Sequence, residues 1–484
     1  MQPIRVHPAN PKVFEFRGKP LVLLTATEHY GAVLNRPFNY ARYLADVEDK
    51  RMTMTRLFLL FRELQTPRNP CSTCKPESAE YVAPYARTGP GWALDGEPKY
   101  NLDQWNPEFF VRLHDFVSLA SDHGIIVEVT LFSNTYADHI WALQPLNTDN
   151  NLNDVEKIEW HEYLTCRRPK LLERQIAHVQ KIVRELNCYD NFFFEICNEP
   201  GGNFSADGAP GVEEIDEWQN RIAEAVRETE ADLTNKHMVV GQAAFNYTLF
   251  EQSSTESFKS MPLDVVNVHP LANMTYRGKS YDLGEFMRGW LKLIELRDYC
   301  LDTYHEPKPL NMDEDNTASC QVNIKGWTVH RKRAWTTLMC GCHYDYIDFS
   351  INNYLETGTP DSQRYIRTWI RHLSEFIHSI DLVKARPLPD WLKQLPEHTM
   401  GCVLAVEGED YCIYIADRRE FDEEGCGEPI HEKIAFDLPG GTYNVSSYSP
   451  VTGLYSPAME LKGGGRHSVL LPEFVHDLVV RIRR

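Results

Sequence analysis

The chain alternates short apolar segments with amphipathic helical segments from its N-terminus to about residue 380. Pro107 opens one such helix, whose apolar residues recur at positions i, i+3 and i+4, and Gly124 ends it. Eight apolar segments have the length of buried strands, with cores at 21–25, 54–60, 125–131, 191–197, 239–240, 265–268, 310–313 and 346–349. Eight strands alternating with helices predict an α/β fold, a (β/α)8 TIM barrel. No Gly-x-Gly-x-x-Gly follows the first strand, which argues against a dinucleotide-binding fold.

A change of pattern near Pro387 and Pro389 predicts a domain boundary. Beyond it, short alternating segments separated by turn residues predict a small C-terminal all-β sandwich. The predicted domains are residues 1–385, a catalytic barrel with an N-terminal hairpin closing its bottom, and residues 386–484, an accessory β-sandwich. We expect the sandwich to be a structural partner of the barrel, because its segments supply few clustered aromatic residues.

Charge and composition restrict the classes of function. The chain has 484 residues and a formal charge of −19, and nucleic-acid binding depends on clustered Lys and Arg, so we expect no nucleic-acid partner. No segment approaches the roughly 20 apolar residues of a membrane helix, so no membrane partner is expected either. The first residues lack the apolar region of a signal peptide, which predicts a cytoplasmic protein, or a secreted one if a leader was removed. The composition does not predict an oligomeric state.

Two predicted strands end in carboxylates. The segment 191–200 is an apolar strand that stops at Asn198 and Glu199, and Pro200 cannot continue the hydrogen-bond ladder. The segment 308–314 ends in Asp313 and Glu314. Strands four and seven of a barrel face each other across its mouth, where barrel enzymes carry their catalytic groups. Side-chain alternation predicts that Asp313 and Glu314 point to opposite sides, so only one of them should face a substrate.

These segments resemble motifs of the clan A glycoside hydrolases, including the cellulase-like and apiosidase-like barrels. Asn198-Glu199-Pro200 resembles the strand-four motif that carries the acid/base glutamate. The spacing from Pro309 to Glu314 resembles the strand-seven nucleophile segment, which selects Glu314, with Asp313 as the next choice. The resemblance covers the predicted barrel, and the C-terminal region resembles the accessory sandwich of the apiosidase-like enzymes.

The resemblance implies a retaining glycoside hydrolase that cleaves an O-glycosidic bond through a covalent glycosyl-enzyme intermediate. Glu199 would be the acid/base and Glu314 the nucleophile. It implies an oligosaccharide or polysaccharide substrate and requires no metal or organic cofactor. It also implies roles for three further residues: Arg56 would hold the nucleophile ionised, Asn198 would bind the sugar 2-hydroxyl, and His269 would lie near the nucleophile.

Other candidates for sugar contacts lie at strand ends or on two predicted insertions, residues 62–106 and 133–168. They are Glu28, His29 and Tyr30 after strand one, Asn352 and Asn353 after strand eight, and Trp141 on the second insertion. Many clan members carry a tryptophan at the end of strand eight, and this chain has none there, so Trp92, Trp105 or Trp141 could supply the stacking platform. Glu195 is expected to point into the barrel and pair with an Arg or Lys.

Two alternatives stay open. A metal-dependent barrel hydrolase could use His29 and His269 with nearby acids, but such barrels usually show a His-x-His motif near strand one, which this chain lacks. A non-catalytic carbohydrate-binding barrel would be expected to have lost one of the two glutamates. Cys71 and Cys74 have the spacing of zinc ligands, but no second pair follows at a suitable distance, so plain loop thiols or a local disulfide are expected.

Overall fold

The computed structural model describes residues 2–62, 73, 75–202, 208–246, 251–252, 257–271, 274–284 and 292–484. In this part of the chain, no helix combines the length and the apolar composition that a membrane span requires. Cys71 and Cys74 lie outside the described residues, so the prediction for these two thiols remains a prediction.

Eight parallel strands form the barrel. They are β1 (Leu24–Thr27), β2 (Met54–Phe58), β3 (Ile126–Ser133), β4 (Phe192–Asn198), β5 (Val239–Gly241), β6 (Val265–Val268), β7 (Leu310–Asp315) and β8 (His343–Ile347). Each pairs in parallel with the next along the chain from β2 to β8, and β8 pairs with β1. The ring closes between β1 and β2, where the Thr53 amide donates to the Leu24 carbonyl at 2.9 Å. The predicted (β/α)8 fold is confirmed.

Helices surround the barrel, and the helix predicted to open at Pro107 and to end at Gly124 is observed as Pro107–Asp122. The described helices are α1 (Tyr40–Asp49), α2 (Pro107–Asp122), α3 (Asp138–Trp141), α4 (Pro169–Leu186), α5 (Val212–Glu230), α6 (Leu293–Thr303), α7 (Ile324–Met339), α8 (Pro360–Arg364) and α9 (Ile366–Ile377). In α2 the Asn106 side chain caps the first turn by accepting from the Glu108 amide, and Pro107 occupies the favoured first position.

An N-terminal sheet of three strands, one more than a hairpin, packs against the bottom of the barrel. Its strands are Arg5–His7, Asn10–Phe16 and Lys19–Leu21, and Arg17 and Gly18 form the last turn with φ of 50° and 77°. Its apolar residues pack against the first residues of several barrel strands; this cluster includes Ile4, Phe14, Phe16, Leu23, Met54, Ile126 and Phe193. Because residues 19–21 belong to this sheet, β1 begins three residues later than the sequence suggested.

Short elements lie above the C-terminal ends of the barrel strands. The insertion after β2 forms a hairpin of strands Tyr85–Trp92 and Pro98–Trp105. The chain after β4 joins a small sheet of Gly201–Gly202, Phe245–Asn246 and Glu251–Gln252. A second hairpin, Met274–Tyr276 with Lys279–Tyr281, follows β6. These elements surround the mouth of the barrel.

The C-terminal region is all-β, as predicted. One sheet contains Arg386–Pro387, Thr399–Val406, Asp410–Asp417, Asp477–Arg483, Thr442–Tyr448 and Met459–Lys462, and the other contains Leu392–Gln394, Lys433–Leu438 and Gly465–Leu470. Alternate residues of the strand Thr399–Val406 pack into two different cores. Val403 and Ala405 face the sandwich core, whereas Leu404 and Val406 belong to the barrel core. The domain boundary at residue 385 remains a prediction.

Candidate active site

A buried arginine lies at the centre of the barrel mouth. Arg56, in β2, is fully buried and donates from Nη1 to Glu314 Oε2 at 2.7 Å and from Nη2 to Glu195 Oε2 at 2.5 Å. Its Nη2 also lies 3.2 Å from Asp313 Oδ2. The predicted pairing of Glu195 with an arginine is confirmed, and Arg56 contacts Glu314 as the resemblance implies. Hydrogen bonds from a guanidinium orient a carboxylate and favour its ionised form.

The two predicted catalytic glutamates share an unusual backbone conformation. Glu199 and Glu314 have φ of 48° and 53°, in the left-handed region that residues other than glycine rarely adopt. This conformation overturns the prediction that Asp313 and Glu314 point to opposite sides. The register of β7 shifts between Met312 and Asp315, and the side chains of Asp313 and Glu314 both reach Arg56.

Left-handed residues concentrate at the mouth of the barrel. Ten of the described residues other than glycine have positive φ, and five of them follow or end barrel strands: Tyr30, Tyr136, Glu199, Glu314 and Tyr354. Each such residue costs about 1–3 kcal/mol and persists only where the surrounding structure over-determines it, which is typical of functional sites.

His269 lies between the two glutamates. Its Nδ1 is 3.2 Å from Glu199 Oε1, and its Nε2 is 3.4 Å from Asp313 Oδ2 and 3.8 Å from Glu314 Oε2. One ligand atom each from Glu199, His269 and Glu314 lie within 4.8 Å of one another. Burial lowers the pKa of His269, but Glu314, Asp313 and Glu199 outweigh burial and raise that pKa well above its usual value. The imidazole is therefore protonated between the two carboxyl groups.

The pKa values of Glu199 and Glu314 are shifted in opposite directions. Burial raises the pKa of Glu199, but hydrogen bonds from His269 and Tyr136 outweigh burial and hold this pKa below its ordinary value. Burial raises the pKa of Glu314 to about 7, and the nearby charge of Glu199 adds to that increase. When the pair holds one proton, that proton lies on Glu314 in the free protein.

Tyr136 is a site residue that the sequence did not reveal. It follows β3 in the second insertion, and its Oη donates to Glu199 Oε2 at 2.7 Å and accepts from Asn198 Nδ2 at 2.8 Å. No motif or periodicity marks it, because its position depends on a left-handed φ of 57°. Asn198 itself also accepts from Arg56 Nη2, at 3.3 Å.

The three candidates at the end of β1 have different surroundings. The fully buried carboxylate of Glu28 accepts from the amides of Gly31 (2.9 Å) and Ala32 (3.2 Å) and from Thr73. This carboxylate therefore holds its own loop together, and the predicted sugar contact of Glu28 is not supported. Tyr30, by contrast, stacks on Phe58 with its ring centroid 4.9 Å from the Arg56 guanidinium.

His29 is buried against the ring of Phe349, which follows the end of β8. Its ring stacks on Phe349 at 5.2 Å, with an interplanar angle of 5°. Burial lowers the pKa of His29 to about 3, and the Arg56 charge adds to this effect, so the ring is neutral.

The tryptophans of the two insertions differ in exposure. Trp141 is only 6% exposed and packs against Tyr163 at 5.3 Å, so it offers little surface to a sugar. Trp105 stacks on Tyr85 at 5.1 Å. Trp92 is 70% exposed on the hairpin after β2, so it is the tryptophan of these three with a free face.

The loop after β8 carries the remaining candidates. Asn352 and Asn353 are half-buried there, and Asn353 Nδ2 donates to Asn35 Oδ1 at 3.3 Å. The next residue, Tyr354, is 76% exposed and adopts a φ of 74°. An exposed aromatic side chain therefore follows β8 although tryptophan is absent there.

Two groups of side chains have the spacing of metal ligands among the described residues. They are Glu195, His269 and Asp313, and Glu199, His269 and Glu314; His29 belongs to neither. Arg56 lies within 3.2 Å of carboxylates in both groups, and its positive charge opposes a second cation there. The donor set with this arginine therefore suits proton transfer between carboxyl groups better than it suits a metal ion.

A family model and several solved structures are similar to this chain. The family model Cellulase (glycosyl hydrolase family 5) matches residues 24–306, which include Arg56, Glu199 and His269 and end shortly before Glu314. No curated protein matches the chain in sequence. Among solved structures, one described as a glycoside hydrolase has a TM-score of 0.64 and 11% identity, over 100% of this chain and 97% of its own.

A second solved structure, a glycoside hydrolase family 5 protein from Bacteroides vulgatus, also has a TM-score of 0.64 and 11% identity, over 99% of this chain and 93% of its own. At such identities these two likenesses establish the shared fold, which extends over the barrel and the sandwich. The family model matches more than half of the chain. The protein is a glycosidase and belongs to glycosyl hydrolase family 5, the cellulase family.

Proposed function

We propose that the protein is a retaining glycoside hydrolase that uses Glu199 as acid/base and Glu314 as nucleophile. The observation that carries this proposal is the short distance between their carboxyl groups: one oxygen of Glu199 and one of Glu314 lie within 4.8 Å of each other around His269. Retaining enzymes hold their carboxyl groups about 5–5.5 Å apart, whereas inverting enzymes need about 6.5–9.5 Å to admit a water molecule. The short distance favours direct attack by a carboxylate.

The reaction then has two steps. In the first, the ionised Glu314, oriented by Arg56, attacks the anomeric carbon, while protonated Glu199 gives its proton to the departing glycosidic oxygen. In the second, ionised Glu199 takes a proton from water, and the resulting oxygen nucleophile attacks the anomeric carbon and releases Glu314. Asn198 and Asn352 are proposed to contact the sugar, whereas Tyr30, only 1% exposed, is proposed to pack against Arg56 beneath it.

The first step needs the proton on Glu199, whereas the free protein keeps it on Glu314. His269 contacts both carboxyl groups, at 3.2 and 3.8 Å, so the pair can exchange its proton when the substrate changes their surroundings. The reactive form belongs to the pair with one proton, which exists between the low pKa of Glu199 and the pKa of about 7 of Glu314.

We therefore expect a bell-shaped dependence of kcat/KM on pH. The ratio reports the free enzyme. The ratio should rise with pH as the first proton leaves the pair, at a pH below the usual pKa of a glutamate. It should fall again as the second proton leaves, near pH 7. Initial rates at low substrate concentration between pH 3 and 9 measure both limbs. An activity that keeps rising above pH 8 would contradict the proposed charge state.

The stereochemical outcome is the direct test of the mechanism. We expect the first-formed product to have the same anomeric configuration as the substrate, because two inversions restore it. Proton NMR of the product within the first minutes, before mutarotation, measures this. An inverted product would exclude the covalent intermediate and require a water between Glu314 and the anomeric carbon.

The substrate is best found by screening. A panel of aryl glycosides, followed by plant and microbial polysaccharides, would identify the sugar and linkage. The same assay separates this proposal from a metal-dependent hydrolase, for which His269 with two carboxylates would be the ligand group. Activity that survives prolonged treatment with a strong chelator excludes the metal-dependent reaction.

A further inference from the structure

The loop after β3 places a tyrosine hydroxyl against the proposed acid/base. Tyr136 packs edge-on against Phe61 at 6.1 Å, and its Oη lies 2.7 Å from Glu199 Oε2. The Asn134 amide donates to the Asn198 carbonyl at 3.1 Å, and the Asn134 side chain donates to the Gly201 carbonyl. The loop is therefore attached to the chain on both sides of Glu199, and the hydroxyl is held at a fixed place.

Arg56 sets the direction of the hydrogen bonds that lead through Asn198 and Tyr136 to Glu199. A guanidinium can only donate, so the contact from Arg56 Nη2, at 3.3 Å, requires the amide oxygen of Asn198 as acceptor. Its Nδ2 then donates to Tyr136 Oη at 2.8 Å, and the phenol proton is left for Glu199. The same arginine donates from Nη1 to Glu314 at 2.7 Å. A directed chain of donors thus joins the two glutamates.

We propose that Tyr136 is a positioning residue that fixes the carboxyl group of Glu199 and stabilises its ionised form. This inference rests on the proposed function and deepens it, because ionised Glu199 is the base that activates water in the second step. A hydrogen bond to a charged group is stronger than one between neutral groups, so loss of the hydroxyl withdraws stabilisation mainly from the carboxylate.

The other charged groups around Glu199 must be unchanged in any test. Those that face it are His269, Arg56 and Glu314, with His29 and the buried thiol of Cys197 also close enough to interact. Replacing Tyr136 by phenylalanine removes only one oxygen, and the anchors of its loop at Asn134 are backbone and amide contacts that the change does not touch. The change also removes the acceptor of Asn198 Nδ2, but that amide is uncharged and Arg56 still donates to its Oδ1 at 3.3 Å. A change in the stability of ionised Glu199 can therefore be assigned to the lost donor.

The test is the pH profile of Tyr136→Phe with the aryl glycoside that the wild-type protein hydrolyses fastest. Without the donor, the ionised form of Glu199 is less stable, so its proton leaves at higher pH. The acidic limb of kcat/KM is expected to move to higher pH by roughly one unit, as one charge-assisted hydrogen bond corresponds to at least a tenfold change in a proton equilibrium. The limb near pH 7 should move less, because Glu314 is not bonded to Tyr136.

Tyr163→Phe is the matched control. Tyr163 is a buried tyrosine of the same insertion, and its Oη is not bonded to Glu199, whose side chain contacts Tyr136 and His269. Its replacement should leave both limbs in place. An acidic limb that stays within 0.2 pH units of wild type in Tyr136→Phe, or that moves equally in Tyr163→Phe, overturns the inference.

Glu199→Ala separates a failure of this inference from a failure of the proposed function. With an activated aryl glycoside, whose leaving group needs no acid, Glu199→Ala should lose the limb near pH 7, because no proton then has to stay on the pair. It should keep a single acidic limb, because Glu314 must still be ionised to attack. If both limbs persist in Glu199→Ala as in the wild type, neither belongs to Glu199, and both the assignment of Glu199 and the inference built on it fail. If the limb near pH 7 disappears in Glu199→Ala but the acidic limb stays unchanged in Tyr136→Phe, only the role of Tyr136 is wrong.

Discussion

Replacing Glu199 or Glu314 by alanine is expected to lower turnover by several orders of magnitude while leaving the fold intact. General acid/base catalysis contributes about 10²–10⁴-fold, so Glu199→Ala should lose that factor with a poor leaving group. Glu314→Ala should lose more, because no covalent intermediate can form. Both side chains lie at the barrel mouth, where they are 16% and 7% exposed, so their truncation opens little core. Steady-state kinetics and circular dichroism measure the two parts of this prediction.

Azide should rescue the two variants with different stereochemistry. With an activated aryl glycoside, Glu199→Ala still forms the glycosyl-enzyme, and azide attacks it to give the glycosyl azide of retained configuration. In Glu314→Ala, azide occupies the place of the missing carboxylate and attacks the substrate directly, which gives the inverted azide. Asp313→Ala is the neighbouring control: it removes a carboxylate that also contacts Arg56, and azide should not rescue it. Swapped products would reverse the assignment of Glu199 and Glu314.

The strands that the sequence predicts well are those whose apolar residues face a core on both sides. For β6, the expected segment 265–268 agrees with the observed strand Val265–Val268. The prediction for β8 begins three residues too late, because this strand carries His343 and Asp345 among its buried residues. Polar side chains inside the barrel hide the apolar signal on which the prediction of a strand depends.

Helix α7 shows a second limit of prediction from apolar periodicity. It is buried on nearly every side, yet it contains Arg331, Lys332 and Arg333, each held by a partner from another element. No apolar stripe of period 3.6 marks such a helix, so its place between the barrel and the sandwich follows only from the tertiary structure.

Some residues of the candidate site could likewise be predicted from the sequence, and others could not. Glu199 and Glu314 could be predicted because they end strands whose order fixes where they meet, and Arg56 and His269 because their segments resemble motifs of the clan A enzymes. Tyr136 could not, because its contact with Glu199 depends on the conformation of a long insertion. The prediction that Asp313 and Glu314 point to opposite sides was wrong, because strand alternation assumes extended backbone and Glu314 is left-handed.

The contact between barrel and sandwich carries a buried ion pair. Arg331 of α7 donates to Asp477 through Nε at 3.0 Å and Nη2 at 2.9 Å, and both side chains are at most 3% exposed. Tyr414 Oη also donates to Asp477, at 3.1 Å, and the Tyr414 ring stacks on Trp335 at 5.5 Å. The sandwich therefore contributes both apolar and ionic partners to a helix of the barrel.

Separating these partners should strongly destabilise the protein. Arg331→Ala leaves Asp477 buried without its counter-charge, which costs about 3–5 kcal/mol. The matched control is Arg371→Ala on α9, whose ion pair with Glu375 is 41% and 46% exposed and should contribute at most about 1 kcal/mol. The midpoints of urea denaturation compare the two variants. Equal midpoints would mean that the buried pair does not hold the sandwich to the barrel.

Deleting the residues after 386 removes the sandwich, and with it every contact that the sandwich makes with the barrel. The truncated chain would expose Trp335 and the apolar residues of α9 that now pack against Tyr448, including Phe376. Exposed apolar patches of this kind promote association, so we expect aggregated or much less stable protein, measured by size-exclusion chromatography and thermal unfolding. A truncated barrel that stays monomeric and stable but no longer binds polysaccharide would show that the sandwich is a binding module and not a structural partner.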